Sequence, residues 1–168
     1  IAPFIHILRS FSSADIQYNA CLKLHTKKSV YRNDGVKLRE DLLNQLFDQD
    51  TLALALSSLC AHGQTGSIGM LCPSASLVDH TDPNGYRLKY HMETIEDLEQ
   101  VMGFTFHRSV FPAGSMFWFS QKALQRLLSI SMSAFDPEVG LADGTLAHTI
   151  ERILATIVQF DGFRVHPV

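Results

Sequence analysis

The chain has 168 residues, of which 46% are hydrophobic and 18% charged, and this composition predicts one folded domain with a substantial core. Lys and Arg total 14 against 17 Asp and Glu, so the formal net charge is −3, which argues against a general nucleic-acid binder. The three cysteines lack the spacing of a zinc site and are typical of a reducing compartment. No apolar run approaches the roughly 18 residues of a membrane span, and no signal peptide is evident. The sequence therefore predicts a soluble, cytoplasmic protein.

The first half of the chain alternates helical and extended patterns. A short helix with proline in its first turn is predicted over residues 3–11, and a strand over residues 18–25. Leucines at three- and four-residue spacing predict an amphipathic helix over residues 38–47. A second helix is predicted over residues 51–61, with Asp50 as its N-cap.

The second half continues the alternation and ends in the longest predicted helix. The predicted elements are, in order, a strand over 67–72, a surface loop over 79–90, a helix over 93–102, a strand-like segment over 111–119, a helix over 121–128 capped by Ser120, a helix over 143–160 and a strand over 163–166. The class is therefore α/β, with a mixed, mostly parallel sheet and helices on both faces. Ligands of such sheets bind beyond the carboxyl ends of the strands.

A cluster of basic side chains follows the first predicted strand. His25, Lys27, Lys28 and Arg32 lie within eight residues, and they are candidates for binding a phosphate or sugar hydroxyls. The alternative is a solvated loop whose charges only keep it in water.

An aromatic segment, residues 111–119, contains a Pro-Ala-Gly-Ser step. Gly114 and Ser115 would let a ligand approach the backbone, and Trp118 could stack on a sugar or a base. The alternative is a core strand with a bulge, because aromatic residues on strands are mostly core.

Asp143 precedes the longest predicted helix, where a carboxylate would cap free N–H groups and have a low pKa. Such a carboxylate stays ionised, and it can accept a proton from a sugar hydroxyl that comes within hydrogen-bonding reach. His148 lies on the same helix, and the His148-x-x-Glu151 pair could hold a metal, although the sequence offers no third ligand.

Four separated segments resemble, in the same order, the bacterial rhamnan synthesis protein F family of predicted glycosyltransferases. They are Ile1-Ala2-Pro3-Phe4, Leu22-Lys23-Leu24-His25-Thr26-Lys27-Lys28-Ser29, Phe111-Pro112-Ala113-Gly114-Ser115-Met116-Phe117-Trp118, and Asp143-Gly144-Thr145-Leu146-Ala147-His148-Thr149-Ile150-Glu151-Arg152 with Gly162-Phe163-Arg164-Val165. The resemblance implies a GT-A-like fold and transfer of a sugar, expected to be rhamnose from a deoxythymidine-diphosphate donor, to a glycan acceptor. It also implies a place in cell-surface polysaccharide synthesis (rhamnan, O-antigen or lipopolysaccharide), in the cytoplasm or peripherally at the inner membrane through the rest of the protein.

Comparison with GT-A transferases assigns roles by analogy. Asp143 is expected to be the general base, and Lys27, Lys28 or Arg32 are the candidates for stabilising the leaving diphosphate. His25, Gly114, Ser115, Trp118 and His148 are expected to contact substrate. Where many GT-A enzymes have an Asp-x-Asp metal motif this chain has His25-Thr26-Lys27, so a divalent cation has no support and no cofactor is assigned.

The family's chains extend before the position that matches Ile1. Residues 1–168 are therefore expected to form a single glycosyltransferase-like domain that lacks an N-terminal donor-nucleotide-binding portion, and to transfer nothing detectable alone. A non-catalytic module that binds glycans or nucleotide sugars is the main alternative. A hydrolase that uses Asp136 and Asp143 as paired carboxylates is a third possibility.

Overall fold

The computed structural model describes residues 1–25, 34–60, 66–81, 88–137, 141 and 143–168. The strands in these ranges are β1 (Cys21–Lys23), β2 (Ile68–Cys72), β3 (Leu77–Asp79), β4 (Val110–Pro112), β5 (Phe117–Phe119) and β6 (Arg164–Pro167). The α-helices are α1 (Ala2–Ser13), α2 (Gly35–Phe47), α3 (Gln49–Leu59), α4 (Met92–Met102) and α5 (Leu146–Phe160). A longer 3-10 helix covers Lys122–Ser129, and shorter ones cover Ser74–Ser76, Leu88–Tyr90 and Met132–Ala134.

The main sheet has four strands in the order β1–β5–β2–β6. β5 is antiparallel to both of its neighbours, whereas β2 and β6 are parallel. The predicted α/β class with a mixed sheet is confirmed. Mostly parallel pairing is not found among the described strands, because β5 runs back between β1 and β2.

The predicted strand-like segment over 111–119 is two strands in two different sheets. β4 pairs with β3 in a separate antiparallel ribbon, and β5 belongs to the main sheet. The break between them lies at Gly114 and Ser115, whose φ angles of 83° and 52° do not fit an extended strand.

Helices cover both faces of the main sheet, as predicted. The larger core packs α1, α4, α5 and the 3-10 helix Lys122–Ser129 against one face, which presents Phe117 and Phe119. α2 and α3 cover the other face, where Trp118 contacts both of them. α5 is the longest helix in the described ranges, and none of the helices there is long and apolar enough to cross a membrane.

Gly69 allows β2 to pack directly against its neighbours. A Cβ built at this position would lie 2.6 Å from the Phe163 Cβ and 2.8 Å from the Ala123 Cβ. Both distances are shorter than real contacts between such atoms, so a residue larger than glycine must displace the backbone.

Three predicted helix caps differ from those in the structure. Asp48, not Asp50, caps α3, because its side chain accepts from the Asp50 and Thr51 N–H groups. The predicted helix after Ser120 is a 3-10 helix, and the Ser120 hydroxyl has no hydrogen-bond partner within the described ranges. Thr145, not Asp143, caps α5 through a capping box with His148.

Candidate functional site

Asp143 lies before the N-cap of α5, and its carboxylate is not used to cap that helix. Its Oδ1 accepts from His91 Nε2 at 3.0 Å and from the Gly144 N–H at 2.8 Å. Its Oδ2 accepts from Arg152 Nη2 at 3.0 Å. The side chain is 34% exposed. A partly exposed carboxylate is thus held by donors from the start of α4, from α5 and from its own loop.

Two buried cationic or polar side chains hold Asp143 in place. His91 is 1% and Arg152 5% exposed, so neither can bind a ligand without rearrangement. Arg152 also donates to the His148 carbonyl at 2.9 Å, which ties Asp143 to the first turn of α5. His91 and Arg152 therefore position Asp143, and Asp143 is the member of this group that solvent reaches.

The hydrogen bonds around His91 define its tautomer. A carboxylate only accepts, so His91 Nε2 carries the proton that bonds to Asp143. Nδ1 then accepts from the Thr149 hydroxyl, 2.8 Å away. Burial and the charge of Arg152 lower the pKa of His91, and Asp143 opposes this effect only in part. His91 is accordingly a neutral donor.

The Asp143 carboxyl has a lowered pKa. Burial raises the pKa, but the Gly144 N–H and the charge of Arg152 outweigh burial and bring the pKa below its usual value. The sequence predicted an ionised carboxylate held by helix N–H groups. Ionisation is maintained instead by Arg152, His91 and a single local N–H.

A second polar cluster lies at the carboxyl end of β1. The Gly114 N–H donates to Glu151 Oε1 at 2.9 Å, and Lys23 Nζ donates to the Ser115 carbonyl at 2.5 Å. A Cβ at Gly114 would lie 3.8 Å from His25 Nε2. The structure therefore brings together three predicted site residues, His25, Gly114 and Ser115.

Two atoms in this second cluster are buried without a hydrogen-bond partner in the described ranges, His25 Nδ1 and the Ser115 hydroxyl. Burial lowers the pKa of Lys23 to about 8, although Glu151 opposes the shift. Burial and the nearby charge of Lys23 also lower the pKa of His25. The cluster thus contains a buried cation, a neutral imidazole and an unsatisfied hydroxyl, which are groups that a polar ligand could satisfy.

Both clusters lie toward the same edge of the main sheet. β1, β2 and β6 run in one direction, and α5 returns against β6, so the N-terminal half of α5 lies at the carboxyl ends of these strands. Glu151 holds Gly114, and Arg152, the next residue along α5, holds Asp143. This edge is where ligands of open α/β sheets bind.

The remaining predicted residues are distributed differently. Trp118 pairs with Leu22 and donates to the Leu46 carbonyl at 3.0 Å, so its ring packs on the α2 side of the sheet, opposite Lys23. His148 is half-buried, and its Nδ1 lies 2.7 Å from the Thr145 hydroxyl. Lys27, Lys28 and Arg32 lie outside the described residues. The substrate contacts of all these residues stay predictions.

The described part of the chain contains no group of three or more potential metal ligands close together. His148 and Glu151, the pair considered as ligands, turn to different partners, Thr145 and Gly114. These contacts favour structural roles for the pair.

Several residues of these clusters were not selected from the sequence. Lys23 had a usable signal, because it is a charged residue within an apolar strand, and Arg152 had a similar one within the apolar period of α5. His91 had no such signal, because it follows a stretch read as a surface loop.

The sequence comparisons identify the family. A family model described as rhamnan synthesis protein F matches residues 2–163. The chain belongs to the rhamnan synthesis protein F family. Two relatives, both named uncharacterized protein WxcX and from Xanthomonas campestris pv. campestris strains B100 and ATCC 33913, are 33% identical over 174 aligned residues. The alignments cover the whole chain but 24% of each relative.

Family membership links the chain to rhamnan and polysaccharide synthesis. The chain spans about a quarter of the length of the curated relatives that it matches. No solved structure gives a significant match. The resemblance seen in four segments of the sequence is thus confirmed at the level of the family, and the GT-A-like fold stays a prediction.

Proposed function

We propose that this chain is a glycosyltransferase domain in which Asp143 is the general base. In the proposed reaction, a nucleotide-sugar donor, expected to be deoxythymidine-diphosphate rhamnose, gives its sugar to a hydroxyl of a glycan acceptor. The proposal rests on family membership and on one geometric feature, a partly exposed carboxylate that buried donors hold in place.

The hydrogen bonding of Asp143 leaves room for an acceptor hydroxyl. A carboxylate oxygen accepts about two hydrogen bonds, and Oδ1 already accepts two, from His91 and Gly144. Within the described ranges, Oδ2 accepts one hydrogen bond, from Arg152. An acceptor hydroxyl would donate to Oδ2 from the solvent side.

The proposed chemical step forms one bond and breaks another at the anomeric carbon. The acceptor oxygen attacks that carbon, its proton passes to Asp143 Oδ2, and the bond to the donor's diphosphate breaks with its electron pair on the diphosphate oxygen. A carboxylate with a lowered pKa is a weak base, but it is ionised at neutral pH. The hydroxyl becomes acidic as the new bond forms, so a weak base is sufficient.

The second cluster supplies candidates for binding the donor. Lys23 and His25 lie at the same sheet edge, and Lys27, Lys28 and Arg32 follow them in the chain. Positive charge near the diphosphate would stabilise the leaving group. Ser115 is 4% exposed, so its unsatisfied hydroxyl could reach a sugar or phosphate oxygen only after a rearrangement.

Asp143→Asn tests the role of the carboxylate. The variant has nearly the same shape, but it cannot accept the proton, so we expect transfer to fall by about 10²–10⁴-fold with unchanged donor affinity. The assay measures sugar transfer from radiolabelled donor in a protein that carries this chain at the length of its relatives. Asp97→Asn, an exposed carboxylate on α4, is the matched control and should transfer normally.

The other outcomes separate the alternatives. Normal transfer by Asp143→Asn would refute the proposal. A parent protein that binds donor but transfers nothing would favour a binding module. Release of free sugar without acceptor, lost in Asp136→Asn as well as Asp143→Asn, would favour a hydrolase.

A further inference from the structure

A cavity of about 480 Å³ opens at the sheet edge opposite Asp143. Its described walls come from α1, from the end of α3, from the segments that lead into β1, β2 and β6, and from the segment that follows β5. The residues that line it include Tyr18, Asn19, Ser67, Ser120, Gln125 and Phe163. Phe163 follows the end of α5, whereas Asp143 precedes its start, and a 15-residue helix is about 22 Å long. The cavity is therefore separate from the candidate catalytic site.

One of the residues that line this cavity, Ser120, has an unsatisfied hydroxyl. Ser120 is 9% exposed, and its Oγ has no hydrogen-bond partner in the described part of the chain. The Ser120 backbone is fixed, because its N–H donates to the Gly69 carbonyl at 3.0 Å. A buried hydroxyl without a partner is costly, and a ligand that brings a donor or acceptor removes that cost.

The described walls mix polar and apolar side chains, and the polar ones carry little net charge. Gln17, Asn19, Gln121 and Gln125 contribute amides, and Asp15 and Lys122 contribute charges of opposite sign. Among the described lining residues, an anion would find one basic side chain and one acidic one. A neutral ligand rich in hydroxyls would find donors and acceptors on several sides.

An aromatic side chain adds an apolar surface. Tyr18 lines the cavity and is half-buried. Burial raises the pKa of Tyr18 to about 12, so the phenol stays protonated. Amide and hydroxyl groups beside an aromatic ring match the mixed polar and apolar surface of a sugar. The volume of the cavity lies within the range of small-molecule binding sites.

We infer that this cavity is a binding subsite for a neutral saccharide, distinct from the site around Asp143. A sugar bound there lies beyond the far end of α5, so it is a non-reacting unit that holds a glycan on the domain. The inference does not depend on Asp143, because loss of transfer in Asp143→Asn leaves the cavity unchanged.

The test is a titration of the ¹⁵N-labelled chain with methyl α-L-rhamnopyranoside, followed by backbone amide shifts. We expect saturable shifts at Asn19, Ser67 and Gln125 and none at Gly144. Ser120→Ala should weaken binding about fivefold, the usual worth of one hydrogen bond. It should not lower the melting temperature, because it removes a hydroxyl that has no partner.

Ser57→Ala is the matched control. Ser57 is exposed, and its hydroxyl bonds within α3 to the Ala53 carbonyl, away from the cavity. The Ser57→Ala variant should bind the glycoside with unchanged affinity. The inference would be overturned if millimolar glycoside caused no shifts, or shifts only at the Asp143 edge. It would also be overturned if Ser120→Ala and the unmodified chain bound the glycoside with equal affinity, or if sodium phosphate but not the glycoside caused shifts at the cavity.

Discussion

Replacing Lys23 by methionine tests the cost of a buried charge at the candidate site. Lys23 is 9% exposed, and its Nζ lies 5.4 Å and 5.6 Å from the ring centroids of Phe4 and Phe117. Burial lowers its pKa from 10.5 to about 8, and Glu151 opposes this only in part. The unfolded chain therefore binds more protons than the folded one above about pH 8, so the Lys23 contribution to stability rises with pH up to about 10.5.

The size of the effect follows from the two pKa values. At pH 7 the buried charge costs about 3 kcal/mol, since each pH unit between the values corresponds to about 1.4 kcal/mol. Methionine keeps the contacts with the two rings, but it leaves the Ser115 carbonyl without its donor, which costs about 1–3 kcal/mol. Lys23→Met should therefore be as stable as the unmodified chain at pH 7, or up to about 2 kcal/mol more stable. Between pH 7 and about pH 9.5, the difference in the free energy of unfolding should change by about 2 kcal/mol in favour of the unmodified chain.

The assay is urea unfolding of both proteins at the two pH values, compared as a difference. The difference cancels the ionisation of Tyr18 and Cys72, whose pKa values burial raises and which lower the stability of both proteins at high pH. Lys89→Met, which removes an exposed lysine, should show no such pH dependence. A Lys23→Met variant that is less stable by several kcal/mol at pH 7, or whose difference from the unmodified chain is independent of pH, would refute the reasoning.

Two further predictions concern the partner of Asp143 and the packing of β2. His91→Leu should lower sugar transfer more than tenfold without changing the affinity for the nucleotide sugar. His91→Gln keeps an N–H group that can donate to Asp143, so its transfer activity should fall less. Equal losses of transfer in the two variants would show that His91 does not act through its N–H. Gly69→Ala should lower the free energy of unfolding by about 1–3 kcal/mol in urea titrations, because its Cβ would collide with Phe163 and Ala123, and an unchanged midpoint would contradict the packing described for β2.

The helical framework was predictable because amphipathic spacing records which face is buried. α2 and α4 begin and end within three residues of their predicted bounds, and Gly103 closes α4 in the left-handed conformation. Sheet pairing was less predictable, because strand direction depends on turns such as the one at Gly114 and Ser115 rather than on hydrophobic pattern.

The candidate site was only partly predictable. Asp143 was selected for its position before a helix, but its partners come from tertiary packing that no local pattern records. Asp143 and Thr145 are both good N-cap residues, and their order in the chain does not reveal that Thr145 takes the cap. His91 is recognisable only once α4 and α5 have packed together.

Chemical rescue of Asp143→Ala tests the central claim most directly. The substitution removes the carboxylate but leaves Arg152 and the His91 N–H facing a space that solvent reaches, and formate is a small carboxylate that can bind there. If Asp143 accepts the proton, transfer should be nearly abolished in the variant and should rise in proportion to added formate, with no response to chloride at the same ionic strength. Transfer that survives the substitution, or that formate leaves unchanged after the variant has been shown to fold and bind donor, would contradict the account.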